Sequence, residues 1–218
     1  MKIEIFSDIL CPWCYVGKRR IQTALDLFGH QDEAEVLWRS YELGPEAERE
    51  PGPTAAKIME TWMDPAAVPA RVAQIKGHGR QEGLELNMHL SRPVNSFDAH
   101  RLTHLAAARG VAGEMVERLL RAYHTEALII TDHDVLVRLA EEAGLDAAET
   151  REVLAGDAYA DDVRADQRRA RELGVCGVPS VVIDGRPPVS GVMDPAALAE
   201  LLESARSHAA HAGTAAGA

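Results

Sequence analysis

The chain opens on a short apolar run, Lys2 to Ser7, in which Ile3, Ile5 and Phe6 surround Glu4. Its length and content predict a strand. The spacing then changes. Ile21, Leu25 and Phe28 recur at helical intervals and predict a helix over 12–28 with one apolar face. Cys11 suits its N-cap, and Pro12 its first position, where a missing N–H costs nothing. Gly29 suits the residue just past its end. Glu35 to Tyr41, rich in β-branched and aromatic residues, predicts a second strand. The result is a β-α-β unit with a crossover long enough for two parallel strands.

The texture then changes again. Gly44-Pro45 and Pro51-Gly52-Pro53 mark a loop, and from Thr54 to Gly156 nearly every segment carries helical spacing. Helices are predicted over 55–63, 70–84, 97–109, 114–127, 134–143 and 147–155, with Met115, Leu119, Leu120 and Tyr123 on one side of the fourth. Met59 and Trp62 read as core of the first, with a groove lining as the alternative. A more polar helix over 159–173 follows. Val181 to Ile183 predicts a third strand, and Asp184-Gly185 a hairpin turn. Pro187 and Pro188 push the returning strand to an edge. Asp194 and Pro195 start a last helix ending near Arg206, and the Ala/Gly-rich residues 207–218 are expected to be a disordered tail.

Composition narrows the function. With 218 residues and 46% hydrophobic content the chain can bury a sizeable core. A net charge of -11 argues against nucleic acid and anionic membranes as partners. No run reaches transmembrane length, and the N-terminus carries no apolar leader, so a cytoplasmic protein is expected.

Chemistry concentrates in Cys11-Pro12-Trp13-Cys14, between the first strand and the first helix. A helix start favours an anion, so a thiolate there is stabilised. The two-residue spacer lets the second sulfur reach the first, giving a dithiol–disulfide pair. Cys11, in the first turn, is expected to be the exposed, acidic thiol, and Cys14 the buried resolving one. The competing reading is half a zinc site. Structural zinc usually takes four ligands, and the chain has three cysteines and no second pair, so no metal is expected. Asp8 either relays a proton to this pair or caps the loop. Asn95 reads as a helix cap, His100 as a packing histidine, and the other histidines as surface. Cys176 reads as a small buried hydrophobe, or else as an auxiliary thiol.

These motifs together resemble the DsbA family of the thioredoxin superfamily. The carriers are Cys11 to Cys14 after the first strand, the helical insertion after the second, and Gly177-Val178-Pro179 before the third. The FrnE-like branch is closer still. It shares the Asp-x-x-Cys-Pro-Trp-Cys start at Asp8, then Tyr15-Val16-Gly17, and an Asn-Ser-x-x-Ala-His element at Asn95 to His100. The resemblance spans about residues 2–206. It implies an α/β, thioredoxin-like fold with a large all-helical insertion between the second and third strands. The thioredoxin-like domain would be discontinuous, 1–43 and 157–206, with the inserted domain at 54–156. It also implies that Pro179 is cis and faces the Cys-x-x-Cys, leaving the Val178 backbone free to pair with an extended substrate.

The function expected is thiol–disulfide exchange with protein or small-thiol substrates, by a monomer or homodimer. No cofactor is expected beyond the redox-active disulfide, with glutathione as a possible reductant. The alternative is a glutathione-dependent isomerase or transferase. The chain is similar to 2-hydroxychromene-2-carboxylate isomerases and kappa-class glutathione transferases, which typically carry serine where Cys11 stands. A non-enzymatic chaperone or metal-binding module is the third possibility.

Overall fold

A computed structural model describes residues 1–215, with side chains through His208. Strand β1 (Lys2–Ser7) lies inside a four-stranded sheet with β2 (Glu35–Ser40), β3 (Ser180–Ile183) and β4 (Val189–Ser190), in the order β2-β1-β3-β4. β1 runs parallel to β2, with Ile5 opposite Trp38, and antiparallel to β3, with Ile5 opposite Val181. The parallel pair follows from the crossover helix α1 (Pro12–Phe28). The β3–β4 hairpin turns through Asp184 and Gly185, both at positive φ (49° and 71°), as the Asp-Gly pair predicts.

Alternation along β1 divides its side chains between two layers. Ile3 and Ile5 pack with Ile21, Leu25 and Phe28 of α1 and with Leu198 and Leu202 of the last helix, α9 (Pro195–Ala215). Phe6 joins Val182 and Ala170 on the opposite face. Seven helices connect β2 to β3. These are α2 (Ala55–Met59), α3 (Val68–Gln81), α4 (Phe97–Ala108), α5 (Ala112–His124), α6 (His133–Glu142), α7 (Ala147–Ala155) and α8 (Ala160–Glu172). α4 to α7 build their own core around Leu102, Leu105, Met115, Leu119 and Leu136. A further cluster holds Cys11, Cys14 and Tyr15 against Met59, Val68, Ile75 and Leu120, so the insertion closes directly over the Cys-x-x-Cys.

Two expectations are corrected here. α9 continues through Ala215 rather than ending near Arg206, because alanine-rich sequence has the highest helix propensity. Of the expected tail, residues 216–218 lie outside the described residues. α2 stops at Met59, so Trp62 leaves the helix and stands 66% exposed, while Met59 is buried. Among the described residues no helix is long and apolar enough to cross a membrane.

Candidate active site

β1 ends at Ser7, and the chain turns through Asp8 to Leu10 into α1. The turn is held by the Cys11 N–H donating to the Asp8 carbonyl (3.2 Å). Cys11 is the N-cap and Pro12 opens the helix, as predicted. The expected exposure of Cys11 does not occur. It is 6% exposed and Cys14 is 1% exposed, because Trp13, Val178 and the Met59 and Met88 side chains cover the helix start. Both are free thiols in this structure. Their acidities are nonetheless split in the expected direction. The hydrogen bond with Cys14 holds Cys11 below the ordinary thiol range, against burial and the neighbouring Asp8 charge. Burial, then the hydrogen bond with Cys11, pushes Cys14 well above it. One thiol is thus prepared to ionise and the other to keep its proton.

The Val178–Pro179 peptide is cis. The Cys11 thiol lies 3.7 Å from the Val178 carbonyl oxygen, its acceptor. The Pro179 ring is gripped by two glycines. A Cβ at Gly17 would stand 2.6 Å from Pro179 Cγ, and one at Gly191 would stand 2.9 Å from Pro179 Cβ. Glycine is required at both positions because the backbones of α1 and the loop after β4 approach the ring directly. Trp13, Val178, Pro179 and Ser190 wall a groove of about 540 Å³; neither Cys11 nor Cys14 lines it, and Val178, whose carbonyl accepts from the Cys11 thiol, connects it to them. A second cleft, of about 450 Å³, borders β2 and is lined by Lys18, Leu37, Trp38 and His104.

Asp8 is completely buried. Its main-chain N–H donates to Cys14 Sγ (3.4 Å), and its carboxylate accepts from the Leu43 N–H (2.8 Å) and the Leu10 N–H (3.3 Å). His100, also buried, brings Nε2 to 3.4 Å from this carboxylate but without hydrogen-bond geometry, so the nitrogen has no partner. Glu42 lies in the same region, its carboxyl raised by burial and lowered by His100. The structure therefore brings Asp8, His100, Cys11, Cys14, Val178 and Pro179 together.

It does not bring Asn95. Its Oδ1 accepts from the Phe97 N–H (3.0 Å) and its amide donates to the Pro45 carbonyl (3.1 Å), an Asx turn one residue before the α4 N-cap, Ser96, that fastens a loop to the helix start rather than the cap itself. Cys176 is corrected as well. It is exposed at the rim of the groove, where its thiol donates to the Gly174 carbonyl (3.4 Å). The glycine-bounded loop around it offers no apolar shell.

The sequence reading missed His124. It was expected on the surface but is 2% exposed, stacked on Tyr15 (6.1 Å) and edge-on to Tyr123 (4.8 Å). Burial pushes it down to about 4, against the Ile9 and Cys11 backbones and the Asp8 charge, which favour its protonation. Its position four residues after Leu120, on the apolar face of α5, was the available signal. Among the described residues no three His, Cys, Asp or Glu side chains converge as a metal site requires.

The chain is similar to known proteins over most of its length. Residues 2–203 match the DSBA-like thioredoxin domain. The uncharacterized protein YwbO of Bacillus subtilis is 30% identical over 183 residues, covering 83% of this chain and 86% of that one. A structure from Streptomyces coelicolor, named as a probable DsbA oxidoreductase, superposes with a TM-score of 0.89 at 38% identity, covering 95% of this chain and 90% of the other. The cytosolic disulfide reductase DsbM of Pseudomonas aeruginosa shares the fold, with a TM-score of 0.65 at 20% identity over 94% of this chain and 98% of that one. A domain match over nearly the whole length, together with the YwbO relationship, places the chain in the family of DSBA-like thioredoxin domain proteins.

Proposed function

We propose that the protein is a thiol–disulfide oxidoreductase that exchanges disulfides through Cys11 and Cys14. One observation carries the reading: an acidified Cys11 thiol at the start of α1 faces the carbonyl of Val178, which also lines an open groove. The Cys11 thiolate attacks one sulfur of a substrate disulfide. That S–S bond breaks, the other substrate sulfur leaves as a thiolate and takes a proton, and a mixed disulfide joins the substrate to Cys11. Cys14 then loses its proton and attacks Cys11 Sγ. The mixed disulfide breaks, the second substrate thiol departs, and Cys11–Cys14 becomes a disulfide. Two electrons pass from protein to substrate, and the reverse sequence oxidises a dithiol.

Asp8 is the proposed acceptor of the Cys14 proton: its main-chain N–H donates to Cys14 Sγ, and its carboxylate is buried in the same turn. His100 faces the Asp8 carboxylate from α4 and would share that proton. The Val178 backbone, beside Cys11, is the strand-like edge on which an extended substrate would pair. The Asp8 to Cys14, Tyr15-Val16-Gly17 and Asn95 to His100 elements support a place in the FrnE-like branch. The chemistry needs no cofactor beyond the two sulfurs, and a reducing cytoplasm suits a motif used for catalysis rather than structure. Glutathione is the small thiol to try as reductant, since DsbM has been solved with GSH.

The test is to trap mixed disulfides on a Cys14→Ala variant exposed to oxidised peptide and protein substrates, mapping the linkage by mass. Adducts at Cys11 are expected. If Cys11 stays unmodified while Cys176 carries the adducts, the proposal fails.

A further inference from the structure

In a chain with 34 acidic and 23 basic residues, helix α3 carries Arg71, Lys76, His78 and Arg80 and no acidic residue. Arg71 and His78 are seven apart, two helical turns, and share one face. That face meets the active-site motif. The Arg71 guanidinium lies over the Trp13 ring at 5.5 Å, and the His78 ring packs on it at 5.2 Å. The cations of α1 are neutralised, Lys18 and Arg19 by Glu117 and Arg20 by Glu82. Arg71 is not. Among the described residues it donates to Gln74 (2.7 Å) and pairs with no carboxylate. Trp13 lines the groove with Val178 and Pro179, and no charged residue lies along the groove's described wall. An unpaired guanidinium therefore stands over Trp13, a residue that also lines an uncharged groove.

This arrangement suits one ligand chemistry. A guanidinium over an indole is held in place, and with Nη1 given to Gln74 the Nε and Nη2 side of Arg71 remains to take a carboxylate through two parallel hydrogen bonds. The net charge of -11 would otherwise repel an anionic substrate, so a local cation beside Trp13 decides whether one can dock.

We propose that Arg71, mounted on Trp13, is a specificity-determining residue that binds a carboxylate of the substrate beside the disulfide presented to Cys11. The proposal rests on the oxidoreductase reading of the site and adds the class of substrate: disulfides that carry a carboxylate near the reacting cysteine. That carboxylate has two sources, an acidic side chain of a protein substrate or the termini of a small peptide thiol.

The experiment measures ratios. Two disulfide peptides differing only in Asp or Asn next to the cysteine are compared, and oxidised glutathione is compared with the disulfide of glutathione ethyl ester. For wild type, kcat/KM should favour the charged member of at least one pair by about 5–10-fold, mainly through KM. The preference should shrink in 0.5 M salt, vanish in Arg71→Gln and partly survive in Arg71→Lys. Any general loss in a variant cancels in the ratio. A response of the peptide pair alone assigns acidic protein segments, and of the glutathione pair alone a small thiol; both support the inference. Equal rates within both wild-type pairs, or a preference retained in Arg71→Gln, overturn it. The same four compounds are titrated by tryptophan fluorescence into a Cys11→Ser, Cys14→Ser double variant. Absent turnover would therefore count against the oxidoreductase reading, while the Kd ratios still decide whether Arg71 docks a carboxylate.

Discussion

Two carboxylates four residues apart in sequence, Glu4 inside β1 and Asp8 just beyond it, are both almost fully buried. Glu4 is completely partnered. Arg39 reaches it at 3.0 Å from β2, Arg169 at 3.0 Å from α8, and Arg39 continues to Asp166 at 3.0 Å. Asp166 in turn accepts from the Ser40 N–H (2.8 Å) and meets His104 (3.1 Å). Burial pushes the Glu4 carboxyl up, but Arg169, Arg39 and Lys2 outweigh it and hold it below the usual carboxylate range. Around Asp8 the neighbours are left short. His100 Nε2, Tyr123 Oη and His124 Nε2 are buried without hydrogen-bond partners. A satisfied network fixes geometry, whereas unpartnered buried polar atoms are tolerated where protons move. The first region ties α8 to the sheet, and the second lies next to Cys14.

The comparison breaks first at Glu4. Replacing Glu4 by Gln leaves Arg39 and Arg169 facing a neutral group in a buried setting, a loss of about 3–5 kcal/mol for a broken buried pair. Arg169 remains 39% exposed, so the lower end is expected. Urea unfolding should show it, while the pH dependence of Cys11 alkylation stays as in wild type. A variant that moves the Cys11 titration along with stability would erase the distinction between the two regions.

His124 is the next largest effect. Its ordinary value is 6.5, and burial lowers it to about 4 in the folded protein. Between these values the unfolded chain binds a proton that the folded chain refuses, so stability rises with pH. The contribution is complete above 6.5 and is lost as pH falls toward about 4, roughly 3 kcal/mol in total. Unfolding midpoints of wild type and His124→Gln across pH 4–7 should converge toward the acid end. Parallel curves would mean that His124 is not carried neutral in the fold.

Asp8 gives a smaller energy but a sharper signature. Asp8→Asn keeps an acceptor for the Leu43 N–H and removes the proton acceptor. Release of substrate from the Cys11 mixed disulfide should slow about 10²-fold, while alkylation of Cys11 is not slowed and extends to lower pH, because the Asp8 charge that opposes the Cys11 thiolate is gone. Rapid-quench trapping separates the two steps. Release at the wild-type rate would leave Asp8 only the role of a loop cap.

What the sequence revealed follows the range of the interactions. β1, α1 and the helices of the insertion announce themselves through local periodicity, and the split acidities of Cys11 and Cys14 through a helix start. The arginine partners of Glu4 lie 35 and 165 residues away, and nothing near Glu4 marks them. Gly17 and Gly191 become meaningful only once Pro179 stands between them. Cys11 is buried because the α2–α3 region folds over it, a tertiary event that helix position alone does not encode. Trp62 is exposed because α2 ends three residues earlier than Trp62 itself, and helix ends are the least legible feature of a short amphipathic segment.

The smallest expected effect concerns Cys176, and it tests whether exposure or identity governs a cysteine in this fold. A buried cysteine replaced by alanine loses packing and leaves a void. Cys14, 1% exposed between the sheet and the insertion, falls in that class. Cys176 does not, since its thiol is exposed and its contact is the Gly174 carbonyl. Cys176→Ala should therefore change stability by no more than about 0.5 kcal/mol, and Cys14→Ala should cost more, read from denaturant midpoints of the reduced proteins. Mass mapping of oxidised wild type should find the Cys11–Cys14 bond. A disulfide needs its two Cα atoms within about 7 Å, so an intramolecular Cys11–Cys176 bond formed in native buffer at appreciable yield would bring the rim of the groove within reach of the nucleophile. It would then make the exposed thiol part of the redox chemistry rather than a bystander beside it.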